Sequence, residues 1–244
     1  MAIASQFNPT TISRSHPRST QTSNLDFSDV GRPRRRQGGG SRGSCLIANQ
    51  PPLTALVPES STGYTLSQSP SFWFYLPYHL GKGHAMEFVL KDSQENLVYS
   101  ETIADRDIPP GIFNLRLPDT VILDTQQSYE WYLVVQCDAT NAERFVFVNG
   151  AIRRLDRPDL QPQMANLEQA TNPEFYITEN LWYDAVDATA AQLQKAPQNR
   201  EFRQQWENLL QQMGLSNLTT ASMTDCCTVN RISPDGLSLD RTGH

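Results

Sequence analysis

Four histidines are the first residues to weigh for acid–base or metal chemistry. His79 and His84 flank Leu80-Gly81-Lys82-Gly83. If that loop folded back, both imidazoles could face one metal, with Asp92 as a distant third ligand. A solvated turn accounts for the same residues more simply. His16 and His244 fall in stretches of polar, turn-forming composition. The run Gly39-Gly40-Ser41-Arg42-Gly43 has the spacing of a nucleophile elbow, G-x-S-x-G. That device needs a buried strand before the serine and a helix after it. Arg34 to Gln37 predicts no strand, so the match reads as accidental. The stretch also lacks the Lys-Ser/Thr of a phosphate-binding loop. Glu87, Glu101, Glu130 and Glu143 are candidate acid–base carboxylates, all on expected strand faces or turns. No H-E-x-x-H pair and no dinucleotide fingerprint is present. The pattern offers no catalytic set, no cofactor site and no metal site, and it points away from an enzyme.

Cysteine chemistry is more suggestive. Cys45 stands just before the first candidate strand, and Cys137 ends a central one. A Cys45–Cys137 disulfide would tether the start of the domain to that strand. In the chain-entropy model, closing so long a loop is worth up to about 4–5 kcal/mol. It would require an oxidising compartment. Two buried free thiols fit the spacing equally well. Cys226 and Cys227 are adjacent, and a bridge between neighbours closes a strained ring, so none is expected there. Without a C-x-x-C pair, zinc is not expected.

The densest aromatic run is Phe72-Trp73-Phe74-Tyr75-Leu76-Pro77-Tyr78. Alternation sends Phe72, Phe74 and Leu76 to one face and Trp73 and Tyr75 to the other. One set must be core. Trp73, Tyr75 and Tyr78 are then a candidate binding surface for sugars, peptides or a partner protein. The competing reading covers both faces, one with a second sheet and one with the C-terminal helices.

The elements that must position these groups follow from periodicity. Strand-like segments recur at Leu53–Val57, Tyr64–Ser67, Ser71–Tyr78, Ala85–Asp92, Leu97–Ile103, Ile112–Leu117, Tyr129–Cys137 and Arg144–Arg153. Trp131 to Val135 and Phe145 to Val148 are apolar on both faces and should be central. Leu123, a polar turn, then Tyr129 entering a strand resembles a tyrosine corner. Helical stripes follow at Leu160-Met164-Leu167, at Trp182-Val186-Ala190-Leu193 and at Phe202-Trp206-Leu209-Leu210-Met213. Asn172-Pro173 and Asn199 read as helix starts and Gly214 as a stop. The fold class expected is mainly β with a C-terminal α segment. It is an immunoglobulin-like antiparallel β-sandwich followed by a two- or three-helix hairpin.

Charge and composition set the organisation. The 244 residues carry a formal net charge of -6. Residues 1–44 hold seven Arg against Asp26 and Asp29, and are rich in Ser, Thr, Gly and Pro. They read as a disordered arm. Residues 45–157 read as the sandwich, 158–214 as the helical segment packed on it, and 215–244 as a disordered tail. There is no apolar run of about 18 residues, so no membrane-spanning helix is expected. The arm shows no secretory h-region, so either the protein is not exported or the signal lies upstream of Met1. Five Arg between Arg32 and Arg42 could contact nucleic acid. No aromatic residue is interleaved, however, and a solvated linker is the better reading.

Several motifs together resemble a known family. They are Arg34-Arg-Arg with Gly38-Gly-Gly-Ser-Arg-Gly-Ser-Cys45, Leu53-Thr-Ala-Leu-Val-Pro58, Phe72 to Tyr78, Glu87-Phe-Val-Leu90, Tyr129-Glu-Trp131, Cys137 and Leu181-Trp-Tyr-Asp184. The set resembles the cyanobacterial family catalogued as domain of unknown function nine hundred and twenty-eight, over roughly residues 32 to 215. The resemblance implies exported proteins with no assigned activity or ligand, and it strengthens the Cys45–Cys137 pairing. The function expected is a non-catalytic, periplasmic or secreted protein-interaction or adaptor module. The alternatives are a hydrolase with its site between sandwich and helices, and a cytoplasmic regulator that binds nucleic acid through the Arg-rich arm.

Overall fold

The computed structural model describes residues 35–40, 49–138, 144–166, 170–224 and 226–227. Nine strands lie within them: β1 (Arg35–Gly40), β2 (Thr54–Ala55), β3 (Thr62–Thr65), β4 (Ser71–Leu76), β5 (Ala85–Asp92), β6 (Leu97–Ala104), β7 (Gly111–Arg116), β8 (Ser128–Gln136) and β9 (Phe145–Arg154). Alternation explains their burial. Met86, Phe88 and Leu90 of β5 are buried and Glu87 is exposed. Tyr129, Trp131, Leu133 and Val135 of β8 share the inner face. β8 and β9 are interior strands, as their two-faced apolarity predicts.

The strands form one sheet in the order β6-β5-β8-β9-β1-β2-β4-β7, antiparallel throughout, with β3 added parallel to β9. This corrects the expected immunoglobulin-like sandwich. The facing layers are two arms of a single curled sheet, a half-barrel, and β1 is the joint between them. β1 pairs with β9 on one side and with β2 through Gln37 and Thr54 on the other. Its register shifts between Arg35 and Gly39. Such an irregularity bends a strand, and glycine allows the bend. Gly38 is needed for space as well: a Cβ there would stand 2.5 Å from Val146 Cγ2. Composition predicts disorder across Arg35–Gly40 and no strand from Arg34 to Gln37, yet β1 forms there. The glycines that signalled disorder are what let this strand turn the sheet.

The curled sheet encloses one core. Phe72 of β4 meets Phe88 of β5 at 4.8 Å between centroids, and Phe74 meets Trp131 edge-on at 5.6 Å. The corner before β8 closes as expected. The Tyr129 hydroxyl accepts a hydrogen bond from the Asp124 N–H at 2.8 Å, beside buried Leu123.

A second core lies between the back of β4 and the helices. These are α1 (Gln161–Met164), α2 (Pro173–Thr178), α3 (Trp182–Lys195) and α4 (Arg200–Gln212). Asn172 caps α2 by accepting from the Glu174 N–H, with Pro173 in the first turn. Asn199 caps α4 by accepting from Glu201 and Phe202. Gly214, at φ +70°, ends α4. The Leu215 N–H reaches the Leu210 carbonyl at 2.7 Å and the Gly214 N–H reaches Gln211 at 2.9 Å, a paired C-terminal cap. Trp206, Leu209, Leu210 and Met213 are buried as their spacing predicts. On α3 the predicted stripe packs against this core, with Val186 and Ala190 buried and Trp182 and Leu193 partly buried, while Tyr183 reaches the inner core. Residues 215–224, expected within a disordered tail, are part of the fold. Leu215 and Leu218 are fully buried, and Ile112 of β7 exchanges backbone bonds with Ser222 and Thr224 at 2.8 Å each.

Candidate functional site

The first turn of α3 fastens the helix to the sheet. Successive helical residues point about 100° apart, so Tyr183 and Asp184 diverge. The Tyr183 hydroxyl accepts from the Trp131 indole N–H at 2.6 Å and donates to the Ala151 carbonyl at 3.1 Å. Asp184 turns to the corner between β3 and β4. Its Oδ1 accepts from the Thr65 hydroxyl and its Oδ2 from the Leu66 N–H, each at 3.1 Å. One turn on, Asp187 Oδ1 accepts from the Trp73 indole N–H at 3.1 Å.

Beyond these bonds a groove of about 810 Å³ runs along α3. Its floor includes Ala188 and Ala191, its walls include Leu66, Met164 and Phe202, and Asp184, Asp187 and Lys195 line it. The volume suits a small ligand or a short peptide. Burial pushes the Asp184 carboxyl up to about 7, and the nearby Asp187 charge adds to this against the two hydrogen bonds. Burial likewise pushes the Tyr176 phenol, on the same groove, up to about 12. Its hydroxyl donates to the Ala170 carbonyl at 2.7 Å. A carboxyl titrating near neutrality can move protons. Here both of its oxygens already hold the fold.

The residues singled out by sequence lie elsewhere. Trp73 and Tyr75 are only 5% and 9% exposed, because the helices cover the back of β4. Trp73 stacks edge-on with Trp206 at 6.4 Å. Tyr78 is half-buried against the inner core. Of the candidate surface Trp73, Tyr75 and Tyr78, the first two are therefore buried and the third is half-buried. His79 pairs with Asp107, and His84 Nδ1 sits 3.3 Å from the Gly81 carbonyl, so both belong to a turn outside the groove. Asp92 accepts from Gln94 and Asn96, whose bonds hold its carboxyl below the usual range, and it shapes the β5–β6 hairpin. Glu101 and Glu130 accept from the Tyr99 and Tyr132 hydroxyls, and Glu87 is exposed on β5. Among the described residues no cluster of three or more His, Cys, Asp or Glu is placed to hold a metal. Cys45, Ser41, Glu143, His16 and His244 lie outside the described residues. Cys226 and Cys227 both pack against the inner core.

Two of the arm's arginines are used inside the fold. Arg36 donates to the carbonyls of Val57 and Met213, capping the negative end of α4. Arg35 lies over the Phe147 ring at 5.2 Å. The groove residues Asp184, Asp187, Tyr176 and Lys195 were not assigned a role from sequence. The signal that could have found them is two carboxylates three apart, beside a stripe of alanines, on one helix.

No curated protein matches the chain. A family model does match, over residues 37–223, from within β1 to the segment that pairs with β7. The chain belongs to the family this model describes, Domain of Unknown Function (DUF928).

Proposed function

We propose that this domain is a non-catalytic, extracytoplasmic interaction module whose working surface is the groove along α3. One observation carries the reading: the groove's principal polar groups are spent on architecture. Asp184 uses both oxygens on Thr65 and Leu66, Asp187 uses one on Trp73, and Tyr176 uses its hydroxyl on Ala170. What remains for a ligand is a largely apolar trough. Apolar clefts with a few fixed polar groups are the usual form of binding sites. The Cys45–Cys137 disulfide and the periplasmic or secreted compartment are part of the same proposal, and they rest on the family resemblance.

The test is a photo-reactive amino acid at Ala191, an exposed residue of the groove floor, with Leu97 on edge strand β6 as the control. Irradiation in the native cell is expected to give a discrete cross-linked partner from position 191 and none from 97. Equal labelling from both positions refutes the groove. Intact mass with and without reductant before alkylation tests the compartment. A cleaved N-terminus with Cys45 and Cys137 protected until reduction supports it. An intact Met1 with free thiols refutes it.

A hydrolytic reading is favoured by one feature, the Asp184 carboxyl held near 7 at the groove. It predicts turnover that rises or falls with a midpoint near pH 7 and disappears in Asp184→Asn.

A further inference from the structure

The groove has direction as well as shape. Asp187 and Lys195 both line it, eight residues apart along α3. At a rise of 1.5 Å per residue their Cα atoms stand about 12 Å apart along the axis. An extended chain advances about 3.3 Å per residue, so four steps cover about 13 Å. Side chains two apart share a face, so residues 1, 3 and 5 of such a chain point the same way. The floor between the charges is made of Ala188 and Ala191, whose short side chains let a backbone approach closely. Leu66, Met164 and Phe202 offer apolar walls to the middle side chain.

Resting on the groove as the working surface, we infer that its occupant is an extended peptide segment of a partner protein. The segment carries a Lys or Arg at the Asp187 end, an apolar residue two places on, and a carboxylate two places further at Lys195. Asp187 commits only one oxygen to Trp73 and keeps a second for the incoming cation. Lys195 is exposed in the last turn of α3. Lys195, in the last turn, also suits the helix dipole. That accounts for its presence on the helix, but not for the apolar groove that joins it to Asp187.

The probe is acetyl-Lys-Ala-Leu-Ala-Glu-amide, compared with acetyl-Gln-Ala-Leu-Ala-Gln-amide. Each is titrated into the full-length, nitrogen-15-labelled chain and read by amide shifts. The charged peptide is expected to saturate shifts at Ala188, Ala191 and Gln192 at a concentration at least tenfold below the neutral one. In Asp187→Asn, which keeps an acceptor for Trp73, the advantage should shrink to within about twofold. If that variant changes the spectrum globally, Lys195→Gln at the exposed helix end replaces it, with the same expectation. Equal binding of both peptides, shifts away from the groove, or no shift at all overturns the peptide assignment. A cross-link from Ala191 without a charge preference would refute this occupant while leaving the groove as the working surface.

Discussion

Asp184→Asn is the most informative single substitution, because its predicted effect runs against intuition. Removing a carboxylate with two hydrogen bonds would ordinarily destabilise a protein. Here burial outweighs those bonds, and the carboxyl's pKa rises from 3.8 to about 7 in the folded chain. Below about pH 4 the group is neutral in both folded and unfolded states, so it imposes no penalty. Between about 4 and 7 the unfolded chain ionises while the folded one keeps its proton, so stability falls as pH rises. Above about 7 both states are charged and the cost is complete. Roughly three units at 1.36 kcal/mol each give about 4 kcal/mol as a ceiling. Asp184 is half-buried at the groove, and solvent screening brings the expectation to about 2 kcal/mol. Asparagine fits the same corner. Its oxygen accepts from the Leu66 N–H, and its amide donates to the Thr65 hydroxyl oxygen, which already accepts from the Ser67 N–H at 2.9 Å. The assay is urea unfolding of both proteins from pH 5 to 8.5. With a slope of about 3 kcal/mol per M, the variant's midpoint should lie about 0.7 M above wild type at pH 8. The two midpoints should converge toward pH 5. A variant that is less stable at pH 8, or a gap that does not change with pH, would show that the two donors fully compensate the buried charge.

Three further outcomes follow from contacts in the cores. Tyr183→Phe keeps the ring against Phe72 at 5.6 Å but strands the Trp131 N–H, while the Ala151 carbonyl keeps its pairing with β3; urea unfolding should show a loss of about 2 kcal/mol. Gly150→Ala places a methyl 2.4 Å from the Trp131 ring and 2.5 Å from the Ser61 carbonyl. Overpacking of that kind should cost about 2–3 kcal/mol, visible as a lower melting temperature. Tyr129→Phe removes the acceptor for the Asp124 N–H. It should cost about 1 kcal/mol and speed hydrogen exchange at that amide, while exchange in β5 stays slow.

Period and turn chemistry made much of the fold legible. The two-residue alternation of Met86, Phe88 and Leu90 is enforced by burial on one face, so β5 forms over the same span that the pattern predicts. Caps at Asn172, Asn199 and Gly214 are local, and local chemistry decides them. The curl was not legible, because it depends on a strand whose glycines carry no hydrophobic pattern. Gly38 is fixed by what stands against it, Val146 of β9, distant in the chain. The groove was hidden for a related reason. Its charged residues look like an ordinary solvated helix face, and only the packing of Leu66 and Met164 against that face makes it concave. Trp73 misled in the other direction: alternation put it on the outer face of β4 correctly, but could not say that α4 would bring Trp206 over it.

The same tertiary contacts explain why the groove lies where it does. Helix α3 is bonded to the sheet through Tyr183, Asp184 and Asp187, all within its first two turns. Three anchors to three different places, the inner core, the β3–β4 corner and the back of β4, fix both its tilt and its rotation. With rotation fixed, Ala188 and Ala191 must face the space beyond Leu66, and larger residues there would fill it. Ala188 is half-buried and packs against the second core, whereas Ala191 is exposed and is not held small by that packing. The small size of Ala191 shapes the groove and contributes little to the fold. A bulky residue at 191 should therefore leave unfolding midpoints near wild type while closing the trough, and this separation of stability from surface shape is the signature expected of a binding site.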